Sequence, residues 1–208
     1  LAGFPEITVR GKKGQKITLL VSESLTDEGA CNQRQTGRQH YYEYTLKGEG
    51  VETWHPRFSY YGFRYIQVEG AVLKGQKNTL HLPVIQKIQS CFVYNSAPKV
   101  STFQCSNRIF NEAHRLIEKA VRSNMQSVFT DCPHREKLGW LEQDHLCGPG
   151  LLYNYDLTGF LPQTLQNIAD AQHANGAVPT TAPEYVVFEG PGMDAFAESP
   201  EWGCTFVV

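Results

Sequence analysis

The sequence predicts a β + α protein in which an antiparallel β-sandwich is followed by the first helices of a helical domain. The spacing of hydrophobic residues is typical of strands before residue 98 and of helices after it. With 41% hydrophobic and 19% charged residues, the chain can bury a core in each half. We therefore predict two domains, a β-sandwich at residues 1–98 and a helical domain at residues 99–208.

Three segments of the first half have the pattern of β-strands. Residues 17–21 are apolar and β-branched, residues 40–46 alternate between polar and apolar side chains, and residues 57–70 alternate over a longer span that Gly62 interrupts. Glycines separate such segments at turn-like intervals, at positions 11, 14, 29, 48, 50, 70 and 75. Short strands divided by turns are typical of an antiparallel sandwich.

Four helical segments are predicted in the second half. Ser106 is a candidate N-cap, and apolar residues follow it at helical spacing as far as residue 121. Further helices are predicted at 141–153, at 160–174 and from about Trp202, and residues 177–199 form a long Gly/Pro-rich loop. Loops longer than ~15 residues commonly carry function. Four helices are too few for a complete helical toroid, so we expect the chain to be an internal piece of a longer protein.

Composition excludes several classes of function. The chain has 19 Lys and Arg against 21 Asp and Glu, so it lacks the basic surface that nucleic acids or anionic membranes require. No stretch approaches the ~20 apolar residues of a membrane span. The spacings of Cys132, His134, His145 and Cys147 match no zinc motif, and we expect free thiols and neither a metal nor a cofactor.

The segment at residues 130–145 has the composition of a glycosidase site. It holds four acids beside Arg135 and Trp140, in a region that Pro133 and Gly139 keep from being regular helix. A glycosidase needs a carboxylic acid to protonate the leaving oxygen and a second carboxylate to activate water or attack the sugar. Glu136 is the candidate acid, because the neighbouring Trp140 can supply an apolar wall that shields it from solvent, and such shielding raises the pKa of a carboxyl. An ordinary salt-bridged loop is the alternative.

Residues 131–140, Asp-Cys-Pro-His-Arg-Glu-Lys-Leu-Gly-Trp, resemble the active-site signature of family 78 glycoside hydrolases, the α-L-rhamnosidases. Segments 61–70, 175–179, 182–185 and 200–203 are similar to further motifs of that family, in the same order. The resemblance implies an (α/α)6 toroid after one or more β-sandwiches, and hydrolysis of terminal α-L-rhamnose from rhamnosides with inversion. It implies a rhamnose-containing oligosaccharide or glycoside as the partner, and a periplasmic or extracellular location.

The resemblance also implies roles for individual residues. Glu136 takes the place of the general acid, Asp131 and Arg135 take the places of residues that hold sugar hydroxyls, and Trp140 and Trp202 take the places of aromatic walls. The general base is expected after residue 208.

The sequence departs from the family pattern directly after Trp140. Glu142 stands where glycine is common, and Gln143 stands where a third acid is common. Which of Glu142, Gln143 and Asp144 contacts the sugar therefore stays open. Asp194, in the long loop, is a weaker candidate for reaching a pocket.

Two other functions remain open at this point. One is a non-catalytic carbohydrate-binding β-sandwich with a helical appendage, which the 12% of aromatic residues would suit. The other is a toroid enzyme that acts on a different terminal sugar.

Overall fold

The computed structural model describes residues 1–36, 39–193 and 196–207, which form two compact units. The first unit comprises Leu1–Val93 together with Pro133–Arg135, and the second comprises Tyr94–Cys132 and the chain from Glu136 onward. Eight strands precede four helices along the described chain. The predicted order, strands followed by helices, is confirmed.

The strands of the first unit form two sheets. One sheet has the order β4-β1-β8-β7, with β5 also paired to β1, and the other has the order β3-β2-β6. All pairs are antiparallel except β7 with β8, which is parallel. The bounds are β1 Ala2–Arg10, β2 Lys16–Ser22, β3 Tyr41–Thr45, β4 Val51–Trp54, β5 Tyr61–Gly62, β6 Tyr65–Glu69, β7 Val72–Leu73 and β8 Val84–Phe92.

The core of the first unit lies between the two sheets. Ile7 and Val9 of β1 and Leu19 of β2 are fully buried, and each alternates with less buried neighbours. Leu19 pairs with Tyr42 of β3 on one side and Val68 of β6 on the other, so it lies in the central strand of its sheet. The alternation places one face of each sheet in the core, as in a sandwich.

The sequence patterns missed β1 and β8, which are the two longest strands and pair along most of their length. Strand β1 was not predicted because it contains Gly3 and Pro5, and both residue types are usually depleted in strands. Gly3 has a steric role there, since a Cβ at this position would lie 1.9 Å from the carbonyl oxygen of Cys91. The strand predicted at 57–70 is also corrected: it is two strands, β5 and β6.

The middle of the 131–140 signature belongs to the first unit. The Gly62 N–H donates to the carbonyl oxygen of Pro133 at 2.7 Å, and His134 Nε2 lies 3.3 Å from a carboxylate oxygen of Glu23. A Cβ on Gly62 would approach Pro133 Cγ to 2.8 Å. The lack of a side chain at position 62 therefore lets Pro133 and His134 lie against β5.

The helices of the second unit are α1 Arg108–Asn124, α2 Glu142–Asn154, α3 Leu161–Ala171 and α4 Pro200–Gly203, which a 3-10 turn at Cys204–Phe206 follows. The N-cap of α1 is Asn107 and not Ser106, because the Asn107 side chain accepts from the N–H of Ile109 at 2.9 Å. Helix α3 ends three residues earlier than predicted, since Gln172 already has an extended backbone. No helix of the described chain is long and apolar enough to cross a membrane.

Two small cores organise the second unit. One surrounds Met125, which closes α1, and the other joins Leu141 before α2, Ile168 of α3 and Ala182 of the long loop. Trp202 and Phe206 pack against this second core. The second core therefore holds the end of the signature, the long loop and α4 together.

Candidate functional site

The loop that contains the signature is closed by paired hydrogen bonds. The Asp131 N–H donates to the Leu138 carbonyl at 3.2 Å, and the Leu138 N–H donates to Asp131 Oδ1 at 3.3 Å. Lys137 has a φ of +55°, in the left-handed region that side chains seldom adopt. The Asp131 carboxylate is therefore used, at least in part, to fix the loop in which Glu136 lies.

A short β-bridge connects the end of the signature to the long loop. Trp140 pairs antiparallel with Thr181, and the Ala182 N–H donates to the Gly139 carbonyl at 3.0 Å. A Cβ on Gly139 would lie 2.5 Å from the Ala182 carbonyl oxygen. Close approach of the two backbones therefore requires glycine at position 139.

Glu136 and Trp140 are hydrogen-bonded. The Trp140 Nε1–H donates to Glu136 Oε2 at 3.1 Å. The expectation that Glu136 is shielded from solvent is wrong for the described chain, because its side chain is exposed. The physical reason is its position on a surface turn at residues 133–136.

An aromatic cluster surrounds the indole of Trp140. Trp202 meets it edge-on with ring centroids 5.0 Å apart, and Phe188 stacks on it at 5.2 Å. Phe196 lies edge-on at 6.4 Å. Sequence reasoning missed Phe188 and Phe196, although two aromatic residues in a long Gly/Pro-rich loop were a usable signal. Thus α4 and the long loop both contribute to the surroundings of Glu136.

Three side chains of the signature could hold a metal ion. One ligand atom from each of Asp131, Cys132 and Glu136 lies within 4.8 Å of the others. Burial and the adjacent Asp131 raise the pKa of the Cys132 thiol, which keeps it protonated and makes it a poorer ligand. The resemblance implies other roles for the two carboxylates: Asp131 would hold sugar hydroxyls, and Glu136 would be the general acid.

The remaining predicted site residues are distributed differently. Arg135 is exposed and belongs to the first unit. Glu142 and Gln143 lie in the first turn of α2, where Gln143 Nε2 donates to Glu142 Oε1 at 3.4 Å. The other carboxylate oxygen of Glu142 is buried without a hydrogen-bond partner in the described chain. Asp194 lies outside the described residues.

Asp144 lines a cavity of about 270 Å³ between α2 and α3. Leu152, Leu161 and Leu165 provide apolar walls, and Asp144 Oδ1 is buried without a hydrogen-bond partner among the described residues. Burial raises the pKa of Asp144 to about 7. The carboxyl is therefore largely protonated below neutral pH.

We expect the Asp144→Asn variant to lose a pH dependence of stability. The raised pKa of Asp144 means that the folded state binds the proton more tightly, so the wild-type free energy of unfolding falls as pH rises from about 4 to 7. At pH 8 the variant should be more stable by about 1–2 kcal/mol, because it buries no charge. Urea unfolding at pH 5 and pH 8 measures this, and equal differences at both values would contradict it.

Comparison with known proteins gives one consistent family. Residues 98–208 match the bacterial alpha-L-rhamnosidase 6 hairpin glycosidase domain, and residues 1–94 match the bacterial alpha-L-rhamnosidase concanavalin-like domain. An alpha-L-rhamnosidase of Formosa agariphila is 32% identical over 174 residues, which cover 81% of this chain and 17% of the relative. One from Streptomyces avermitilis is 32% identical over 187 residues, or 88% of this chain and 17% of the relative.

Solved structures agree with this assignment. The alpha-L-rhamnosidase of Dictyoglumus thermophilum superposes with a TM-score of 0.78 at 29% identity, over 99% of this chain and 22% of that one. The Streptomyces avermitilis alpha-L-rhamnosidase, in complex with L-rhamnose, gives 0.78 at 30% identity, over 99% of this chain and 19% of that one. This chain belongs to the bacterial α-L-rhamnosidase family, and it spans about a sixth of the length of the curated relatives that it matches.

Proposed function

We propose that the intact protein hydrolyses terminal α-L-rhamnose from rhamnosides, with Glu136 as the general acid. The observation that carries this proposal is the hydrogen bond from the Trp140 indole to Glu136 Oε2, in the part of the chain that matches the glycosidase domain of the family. The relatives named alpha-L-rhamnosidase support the substrate class. The general base comes from outside residues 1–208, so these residues supply one carboxyl of the catalytic pair.

The contact with Trp140 suits an acid that must lose a proton. The indole N–H can only donate, so Oε2 is the acceptor oxygen of the acid and Oε1 carries the proton for the leaving oxygen. Once that proton has left, the Trp140 N–H donates to a full carboxylate. A hydrogen bond to a charged acceptor is roughly twice as strong as one to a neutral acceptor, so the contact stabilises the charge that forms.

The other site residues bind the sugar in this proposal. Trp140 and Trp202 present apolar ring surface, which suits the methyl group and C–H faces of a 6-deoxy sugar. Asp131 accepts from sugar hydroxyls and Arg135 donates to them. Glu142 and Gln143, at the start of α2, provide further polar groups for hydroxyls.

Asp144 is a weaker candidate for sugar contact than its two neighbours. Its carboxyl lines the apolar cavity between α2 and α3, together with Leu152 and Leu161. A protonated carboxyl in an apolar cavity is a poor partner for sugar hydroxyls, because burying those hydroxyls among apolar side chains costs free energy.

The stereochemistry of the product tests the inverting mechanism. An inverting enzyme places a water between two carboxyls roughly 6.5–9.5 Å apart, on the face of the sugar opposite the leaving group. Proton NMR of early hydrolysis by the intact protein should therefore reveal β-L-rhamnose before mutarotation. The α anomer appearing first would overturn inversion, and activity confined to another terminal glycoside would overturn the substrate assignment.

A further inference from the structure

His173, which follows the end of α3, holds two carboxylates of the long loop with one ring. Its Nδ1 lies 3.0 Å from Glu198 Oε1, and its Nε2 lies 3.2 Å from Glu184 Oε2. Glu184 lies in the first half of the loop at residues 177–199, and Glu198 lies at its end. A single imidazole therefore ties together two points of that loop.

Both contacts require the protonated form of the ring. A neutral imidazole has one N–H, so at one of the two nitrogens a lone pair would face a carboxylate oxygen. The imidazolium donates from both nitrogens and adds two charge attractions. The hydrogen bonds with Glu184 and Glu198 accordingly raise the pKa of His173 above its usual value.

Backbone hydrogen bonds fix the position of residue 173. The backbone N–H of His173 donates to the Ala177 carbonyl at 2.9 Å, and the backbone carbonyl of His173 accepts from the Gly176 N–H at 2.8 Å. Asp170, one turn earlier in α3, accepts from Gln166 at 2.7 Å. Among the described residues, the charged groups that face the His173 ring are therefore the two glutamates.

The loop that His173 holds carries the aromatic residues around Trp140. Phe188 lies between the two glutamates, and Phe196 lies two residues before Glu198. Both rings contact the Trp140 indole, and Phe188 stacks on it. The position of Glu184 and Glu198 thus affects how these rings enclose the indole that donates to Glu136.

We propose that protonated His173 is a positioning residue, which clamps the loop at 177–199 so that Phe188 and Phe196 pack against Trp140. The clamp is complete where His173 is protonated and both glutamates are ionised, and it is lost as pH rises and His173 releases its proton. Its effect on rhamnoside binding, though not the clamp itself, rests on the proposed function. On that basis KM should rise several-fold on the alkaline side, whereas kcat should change less.

The test follows Trp140 directly, by ¹⁹F NMR of the intact protein labelled with 5-fluorotryptophan. The Trp140 resonance, assigned with Trp140→Phe, should shift with pH about a midpoint above ~6.5, the ordinary value for histidine. His173→Gln should abolish this titration, and Glu184→Gln should lower its midpoint. His114→Gln removes a histidine that also lies near a carboxylate, that of Glu118, and should leave the titration unchanged.

The measurement is made in the Asp144→Asn background, because burial also raises the pKa of Asp144 to about 7. Two outcomes would overturn the clamp: a Trp140 resonance with no titration midpoint above ~6.5, or such a titration that persists when His173→Gln is added. Failure of the proposed function is distinguishable from either result. If the protein shows the His173-dependent titration but hydrolyses no rhamnoside, the clamp is supported and the proposed rhamnosidase function is wrong.

Discussion

If Glu136 is the general acid that we propose, replacing it with glutamine should lower kcat/KM of the intact protein by about 10²–10⁴-fold for an α-L-rhamnoside with a poor leaving group. Glutamine keeps the shape of the side chain and an oxygen that accepts from Trp140, but it has no proton to give. Steady-state kinetics of the intact protein on an alkyl rhamnoside measures the loss.

Two controls make the result specific to proton transfer. A rhamnoside of an acidic phenol needs little help from an acid, so the Glu136→Gln variant should lose much less activity on it. Glu112→Gln makes the same chemical change on the exposed face of α1, where Glu112 pairs with Arg115, and should leave both activities intact. Near-wild-type turnover of the alkyl rhamnoside by Glu136→Gln would remove Glu136 from the role.

Gly139→Ala should separate the signature from the long loop. The added Cβ would lie 2.5 Å from the backbone oxygen of Ala182, and a backbone atom has little freedom to move away. We expect the free energy of unfolding to fall by about 1–3 kcal/mol, as for other overpacked sites. Activity should fall as well, because the Trp140–Thr181 bridge holds the indole that contacts Glu136.

Gly150→Ala is the matched control for this substitution. Gly150 lies inside α2, and a Cβ there would have no heavy atom within 4 Å. Alanine favours helix over glycine by about 1 kcal/mol, so this variant should be as stable as the wild type or more stable. Hydrogen exchange of the 139–141 and 180–182 amides, with urea unfolding, compares the two. Unchanged exchange in Gly139→Ala would contradict the account of the bridge.

Local pattern was sufficient for much of the fold. The apolar and β-branched run at 17–21 predicted β2, and helical spacing of apolar residues predicted α1 and α3. Helix α2 was predicted as well, despite Pro149 inside it. Strand β1 was missed because Gly3 and Pro5 look like strand breakers. Gly3 and Pro5 are accommodated in a strand because β1 pairs with β8, which lies more than 80 residues later in the sequence. A local sequence pattern cannot predict such a distant partner.

The position of the candidate site could be predicted from the sequence, but the contacts and exposure of its side chains could not. The 131–140 signature marked the loop, whereas the exposure of Glu136 and the rings of Phe188 and Phe196 around Trp140 depend on contacts made on folding. The surroundings of Asp144 likewise arise when α3 packs beside α2. Spacing along the chain carries none of this information.

The most direct test is a crystal structure of the intact protein with an uncleaved α-L-rhamnoside bound. The central claim is that Glu136 protonates the glycosidic oxygen while Trp140 contacts the sugar. We predict a Glu136 carboxylate oxygen within hydrogen-bond distance of the glycosidic oxygen, roughly 2.6–3.2 Å, and the Trp140 ring against the sugar. A bound rhamnoside whose glycosidic oxygen contacts another acid, with Glu136 turned away from it, would contradict the account.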